Sequence, residues 1–141
     1  LFNVDRTDFS AGADCFHCHG APHFTDFTFH NNGLDSDENF SDLGLYETTG
    51  SDLDKAKFKT PTLRNIEVTG PYMHDGRFST LEEVIEHYNS GGHASSTVDP
   101  LMKNIGDGLL LSPEDKQALL AFLRTLTDEE FLNNPEFSNP F

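Results

Sequence analysis

The sequence predicts a mostly α domain with long loops. Two segments, beginning near residues 80 and 112, carry strong helix signals, whereas no segment alternates apolar and polar residues as a strand does. Residues 21–60 are rich in Asn, Asp, Ser and Gly, which favour turns. Because 141 residues is the length of one ordinary domain, we expect residues 1–141 to form one domain.

The N-terminal part of the chain leads to "CFHCHG", residues 15–20, which holds the two cysteines of the chain. Gly12 disfavours a long helix before this motif, so we expect Cys15 to lie on a short turn or helix. The next stretch is acidic: it has eight acidic residues and no Lys or Arg between Asp26 and Asp54. A long loop of this kind is usually functional or packs on something other than its own regular structure.

The first predicted helix lies in "STLEEVIEHY". Thr80 and Glu83 have the spacing of a capping box, which predicts the helix start. The run "NSGG" predicts its end. One apolar face follows at the spacing i, i+3, i+4, i+7: Leu81, Val84, Ile85 and Tyr88.

The second predicted helix lies in "SPEDKQALLAFLRTL". Ser112 is placed as the N-cap, and Pro113 as the first helical residue. Five apolar residues then form a broad face that we expect to pack in the core: Leu119, Leu120, Phe122, Leu123 and Leu126.

The charge of the chain excludes some partners. The formal net charge is −15, and nucleic acid binding depends on Lys and Arg that neutralise phosphates, so we expect no nucleic acid partner. An anionic membrane surface is disfavoured for the same reason, and no stretch has the ~20 apolar residues of a transmembrane helix. The charge fits either a basic protein partner or simply a solvated acidic surface.

The two cysteines allow several kinds of chemistry. A disulfide between Cys15 and Cys18 would close a very small loop, constrain the unfolded chain little and leave His19 without a role. A thioredoxin-like redox motif needs a βαβ context that the sequence does not predict. A structural zinc site normally takes four protein ligands, and a second cysteine pair is absent.

The spacing C-x-x-C-H is the attachment signature of a c-type haem. Two thiols about one turn apart reach the two vinyl groups of one porphyrin, and His19 is then placed to ligate the iron. A buried macrocycle would also add apolar area to a chain that is only 35% hydrophobic. We therefore expect one covalent haem c on Cys15 and Cys18, and a periplasmic or extracellular location, because haem c is attached outside the cytoplasm.

The second axial position of the iron decides what a haem does. Met73 lies in a predicted turn, "GPYMHDG", and Tyr88 closes the apolar face of the first helix, so each is a candidate ligand as well as a candidate core residue. Met102 is interpreted as a packing residue. Among the remaining histidines, His30 is notable because "FHNNG" is a tight loop close to the cysteine motif in sequence.

Three stretches, residues 15–35, 58–92 and 122–141, resemble the bacterial dihaem cytochrome c peroxidase and MauG-type family. The resemblance covers essentially the whole chain but only the second half of the family's two-haem architecture. It implies a cytochrome-c-like single-haem domain that is the C-terminal half of such a protein. The expected partner is a second haem domain or a redox protein, or else identical subunits. Since the chain starts at Leu1 without a Met, we expect a mature product or a piece of a longer protein.

The resemblance also implies roles for individual residues. Electrons enter such proteins at the C-terminal haem, and peroxide is reduced at the other haem. The family's distal ligand falls on Tyr88, as in MauG-type members, with Met73 as the second choice. Backbone carbonyls of Thr69 and Pro71 match a calcium site, and Arg64 matches a position near a haem propionate.

Two main functions follow from these expectations. The first is an electron-transfer domain with one haem and a six-coordinate iron. The alternative is an enzyme that reacts with peroxide, a peroxidase or MauG-like oxidant acting with a second haem. The third hypothesis is a binding module that a zinc ion stabilises, and it predicts no absorbance band in the visible range.

Overall fold

A computed structural model describes residues 1–6 and 12–139 of the chain. Short 3₁₀ turns and long loops connect its helices and strands, as the sequence predicted. None of the helices in the described residues is both long and apolar enough to cross a membrane. The helices and strands are α1 (Tyr46–Thr49), α2 (Leu81–Ser90), α3 (Pro113–Arg124), α4 (Glu129–Leu132), β1 (Phe29–His30) and β2 (Phe58–Lys59).

Helix α2 begins and ends as its sequence predicted. The Thr80 hydroxyl accepts a hydrogen bond from the Glu83 backbone N–H at 3.2 Å, and the Glu83 carboxylate accepts one from the Thr80 N–H at 2.9 Å. These two bonds satisfy N–H groups that would otherwise lack partners at the start of the helix. The helix ends at Gly91, whose φ of 88° is left-handed.

Helix α3 also begins at its predicted cap, and it forms the core together with α2. The Ser112 hydroxyl accepts from the Asp115 N–H at 3.1 Å, and Pro113 is the first helical residue. The buried faces of the two helices meet in one apolar cluster. Its helical members are Leu81, Ile85, Leu119, Leu120 and Leu123, and the buried Phe2, Tyr72, Leu109 and Leu111 join them.

A small antiparallel ribbon crosses the acidic loop region, and the sequence analysis did not predict it. Phe29 pairs with Lys59 and His30 with Phe58. Each strand has only two residues, so neither is long enough to show alternation of apolar and polar side chains. The ribbon fixes His30 relative to the loop that follows β2.

The loop after α2 returns against the end of that helix. Leu109 donates its N–H to the Asn89 carbonyl at 3.0 Å, and Leu111 donates to the Asn89 side chain at 2.9 Å. A Cβ at Gly91 would lie 2.3 Å from the Asn104 carbonyl oxygen, so this approach requires glycine. The close return makes residues 99–109 a wall beside the end of α2.

The capping box makes a stability prediction. Thr80→Ala should destabilise the protein by about 1 kcal/mol, because it removes the acceptor for the Glu83 N–H. Urea unfolding followed by circular dichroism measures the change. Thr48→Ala is the matched control, since Thr48 is exposed and caps no helix. Equal midpoints for the two variants would contradict the role assigned to the cap.

Candidate haem site

A cleft opens between the turn that carries the cysteines, the end of α2 and residues 99–104. Its empty volume, counted out into the open mouth of the cleft, is about 720 Å³. Cys15, Cys18, His19 and Tyr88 all line this cleft. The two predicted attachment cysteines and the two predicted iron ligands therefore meet in one place.

The local backbone explains why both thiols face the cleft. Cys15–His17 forms a 3₁₀ turn, and His19 donates its N–H to the Cys15 carbonyl at 2.9 Å. Residues three apart are eclipsed in a 3₁₀ helix, so Cys15 and Cys18 share one side. The two thiols are free and form no disulfide.

The thiols are held in their neutral form. Burial raises the pKa of Cys15 to about 12 and the pKa of Cys18 to about 11. Redox-active cysteines are thiolates, and electropositive surroundings lower their pKa. This environment is therefore unfavourable to the thioredoxin-like alternative.

His19 is oriented as a metal ligand would be. Its Nδ1 lies 2.9 Å from the Phe24 carbonyl oxygen, which can only accept, so Nδ1 carries the hydrogen. The lone pair is then on Nε2. Burial lowers the pKa of His19, which favours the neutral imidazole. Metal-binding histidines commonly donate their second ring N–H to a carbonyl in this way.

The candidates for the second axial position differ in placement. Tyr88 and Met102 line the cleft, but Met73 does not. Burial raises the pKa of the Tyr88 phenol to about 12, and a hydrogen bond from Asn32 opposes this shift. Met102 was interpreted from the sequence as a packing residue, and its place in the cleft wall depends on the return of the loop after α2. The donor set fits a c-type haem, with two thiols for the vinyl groups and a neutral imidazole for the iron.

The chain is similar to bacterial proteins named as cytochrome c peroxidases and as MauG. A cytochrome c peroxidase of a Pseudomonas species, IdrP2, is 42% identical over 92 residues, which is 65% of this chain and 23% of the relative. The methylamine utilization protein MauG of Methylorubrum extorquens is 36% identical over 86% of this chain and 33% of its own length. A crystal structure of a MauG-like protein associated with microbial copper homeostasis matches with a TM-score of 0.83 and 39% identity.

This chain belongs to the cytochrome c peroxidase and MauG family. It spans about a quarter to a third of the length of the curated relatives above. The match to the solved MauG-like structure covers 94% of this chain and 48% of that one. No protein-family model matches the sequence.

Three further residues that the family resemblance singled out lie away from the cleft lining. Arg64 is exposed, forms an ion pair with Asp128, and lies over the Phe131 ring at 4.9 Å. Thr69 and Pro71 are also exposed. The haem-propionate role of Arg64 and the calcium site at the Thr69 and Pro71 carbonyls stay predictions.

His30 reaches the cleft between two carboxylates. Its Nδ1 lies 2.6 Å from Asp99 and its Nε2 lies 2.7 Å from Asp26. Burial would lower the pKa of His30, but the hydrogen bonds to Asp99 and Asp26 outweigh it and raise the pKa above its ordinary value. Cys18, Asp26 and His30 also offer ligand atoms within 4.8 Å of one another. The ion pairs account for this grouping without a metal ion.

A second charged cluster lies at the rim of the cleft. Asp5, Asp14 and His17 have the spacing of metal ligands. The Lys103 ammonium lies 2.6 Å from Asp5 and 3.1 Å from the His17 ring nitrogen. Lysine thus supplies the positive charge that a metal ion would supply there. The cluster also ties residues 1–6 to the loop that carries Lys103.

The His30 ion pairs predict a pH dependence of stability. The folded pKa is above the ordinary value of 6.5, so the stabilisation is fully present below pH ~6.5 and is lost as pH rises through the raised pKa. His30→Gln should therefore cost about 2 kcal/mol at pH 6, as expected for losing a hydrogen-bonded charge, and less at pH 9.

Urea unfolding of both proteins at the two pH values measures this difference. His23→Gln is the control, because His23 is exposed. A His30→Gln penalty that is the same at pH 6 and pH 9 would show that the charge of His30 contributes nothing.

Proposed function

We propose that this chain is a c-type haem electron-transfer domain of a cytochrome c peroxidase or MauG-like protein, with a cytochrome-c-like fold. The haem is attached covalently to Cys15 and Cys18, and His19 is an axial ligand. The observation that carries this proposal is that both thiols and the His19 imidazole line one cleft.

Each residue has a part in this function. A bound haem supplies one-electron chemistry, since its iron alternates between the ferric and ferrous states. Cys15 and Cys18 would fix the macrocycle, and the Phe24 carbonyl holds the ring of His19 with the lone pair on Nε2. Tyr88 is the proposed sixth ligand, because it lines the cleft and matches the family's distal position. Met73 is the second choice.

Electron transfer is preferred because both axial positions have a candidate side chain. An iron with His19 and Tyr88 bound has no open position for peroxide. The partner is a second haem domain or another redox protein, which agrees with a match that covers 33% of the length of one MauG relative. The net charge of −15 favours a basic docking face on a separate protein partner. Covalent haem attachment places the protein in the periplasm or outside the cell.

The alternative is a peroxide-reacting enzyme that acts with a second haem. The observation that favours it is the similarity to proteins named as cytochrome c peroxidases. For this function, the sixth ligand must leave or the second haem must take up the peroxide. Calcium bound by the carbonyls of Thr69 and Pro71 would then help to order the loop that holds Met73.

The attachment of the haem is tested by extraction. The purified protein should show a Soret band, and the haem should stay with the polypeptide after extraction with acid and organic solvent. The double variant Cys15→Ser, Cys18→Ser should lose it, because no thioether can form. His17→Gln, between the two cysteines, is the control and should keep the haem. A protein without a Soret band would exclude the haem proposal and favour zinc.

Hydrogen peroxide added to the same ferric protein separates the two functions. A Soret band that peroxide leaves unchanged supports a six-coordinate electron-transfer haem. A rapid shift of the band on mixing would show that the iron is accessible, and it would favour the enzyme.

The sixth ligand is tested by substitution. Tyr88→Met should raise the reduction potential by tens to hundreds of millivolts, within the ~0.8 V range that axial ligands span, because a phenolate stabilises ferric iron more than a thioether does. Met73→Leu and Met102→Leu are the controls and should leave the ferric spectrum and the potential unchanged. A loss of the wild-type spectrum in either methionine variant would assign the ligand to that sulfur instead.

A further inference from the structure

Asn32 contacts both candidate sixth ligands with one amide group. Its Nδ2 lies 3.1 Å from the Tyr88 oxygen and 3.5 Å from the Met73 sulfur. A thioether sulfur can only accept a hydrogen bond, so the amide presents its N–H groups on this side. The Tyr88 oxygen therefore accepts a hydrogen bond from Asn32.

The backbone of Asn32 is held firmly in this position. His87, which precedes Tyr88 on α2, donates from Nε2 to the Asn32 carbonyl at 3.1 Å. His87 is buried, with 9% of its surface exposed. The preceding Asn31 is 2% exposed, and its side chain donates to Thr97 at 3.0 Å. His87 thus holds the Asn32 carbonyl, and the next residue of α2, Tyr88, accepts the hydrogen bond from the Asn32 side chain.

Met73 is held back from the cleft. Its backbone is left-handed, with φ 70°, a region that residues other than glycine seldom occupy. Its sulfur contacts the Asn32 amide, and the side chain does not line the cleft that contains Tyr88 and His19. A thioether engaged with an amide is less available to bind iron.

We propose that Asn32 is a positioning residue that selects Tyr88 over Met73 as the sixth ligand of the haem iron. This inference rests on the proposed function. The hydrogen bond that the Tyr88 oxygen accepts from Asn32 holds that oxygen in the wall of the cleft. The same amide retains the Met73 sulfur outside the cleft. Asn32 acts on the iron only through these two side chains.

Competition with imidazole measures how firmly Tyr88 is held. In the ferric haem-loaded protein, imidazole must displace Tyr88, so Asn32→Leu should raise the apparent affinity for imidazole about two- to tenfold, as expected for losing one hydrogen bond. The phenolate-to-iron absorption band should weaken in parallel. Asn32→Asp keeps the size of the side chain but replaces the donor with a carboxylate, and it should have an effect at least as large.

The matched control is Asn104→Leu. Asn104 lines the same cleft, and its side chain contacts Arg6 rather than Tyr88, so the imidazole affinity should stay within twofold of the wild type. The decisive test is a double-mutant cycle with Tyr88→Phe. In that background, Asn32→Leu should not raise the imidazole affinity, because the Tyr88 oxygen is gone and a Met73 sulfur released from the amide would only compete with imidazole.

The outcomes separate this inference from the proposed function. An Asn32→Leu affinity equal to that of the wild type, or an equal rise in the Tyr88→Phe background, would overturn the inference alone. A ferric spectrum that Tyr88→Phe leaves unchanged would overturn the assignment of Tyr88 and the inference with it. If Asn32→Leu yields too little haem protein, the size-matched Asn32→Asp variant gives the same comparison.

Discussion

Helices α2 and α3 meet through Ile85 and the leucines of α3, and both walls of the cleft depend on that contact. On one side, the end of α2 carries Tyr88, and the following loop is hydrogen-bonded to Asn89. On the other side, the ring centroids of the buried Phe2 and of Phe122 on α3 lie 4.8 Å apart. The Leu1 carbonyl accepts a hydrogen bond from the N–H of Ala13, two residues before Cys15. Helix α3 is thus the common support of both walls, and a shift of α2 along it would change the distance between the thiols and the phenol.

Two electrostatic environments lie next to each other in this small protein. Inside the cleft, burial favours the neutral forms of the thiols and of the phenol, and their pKa values rise. At its edge, Asp26 has its pKa held well below the usual range, because hydrogen bonds from Thr28 and His30 outweigh its desolvation. The interior is therefore suited to a large apolar group, while Asp26, His30 and Asp99 form a network of ion pairs at the edge.

Local signals in the sequence predicted the parts of the structure that depend on near neighbours. The caps at Thr80 and Ser112, and the turn that places Cys15 and Cys18 on one side, each involve residues three apart. Asn32 was missed because its partners are 41 and 56 residues away. The two-residue strands were missed for the same reason, since long-range pairing decides their positions. The preference for Tyr88 as the sixth ligand came from the family resemblance. Only the structure shows that Met73 does not line the cleft.

The contact between Asn32 and Tyr88 bears on how a tyrosine-ligated haem can accept electrons. A phenolate stabilises ferric iron and lowers the potential, which opposes a role as the site where electrons enter. A hydrogen bond to the phenolate oxygen withdraws part of its charge, and this raises the potential again. With Tyr88 as the ligand, Asn32 thus offsets part of the cost of the phenolate and still favours oxygen over sulfur at the iron.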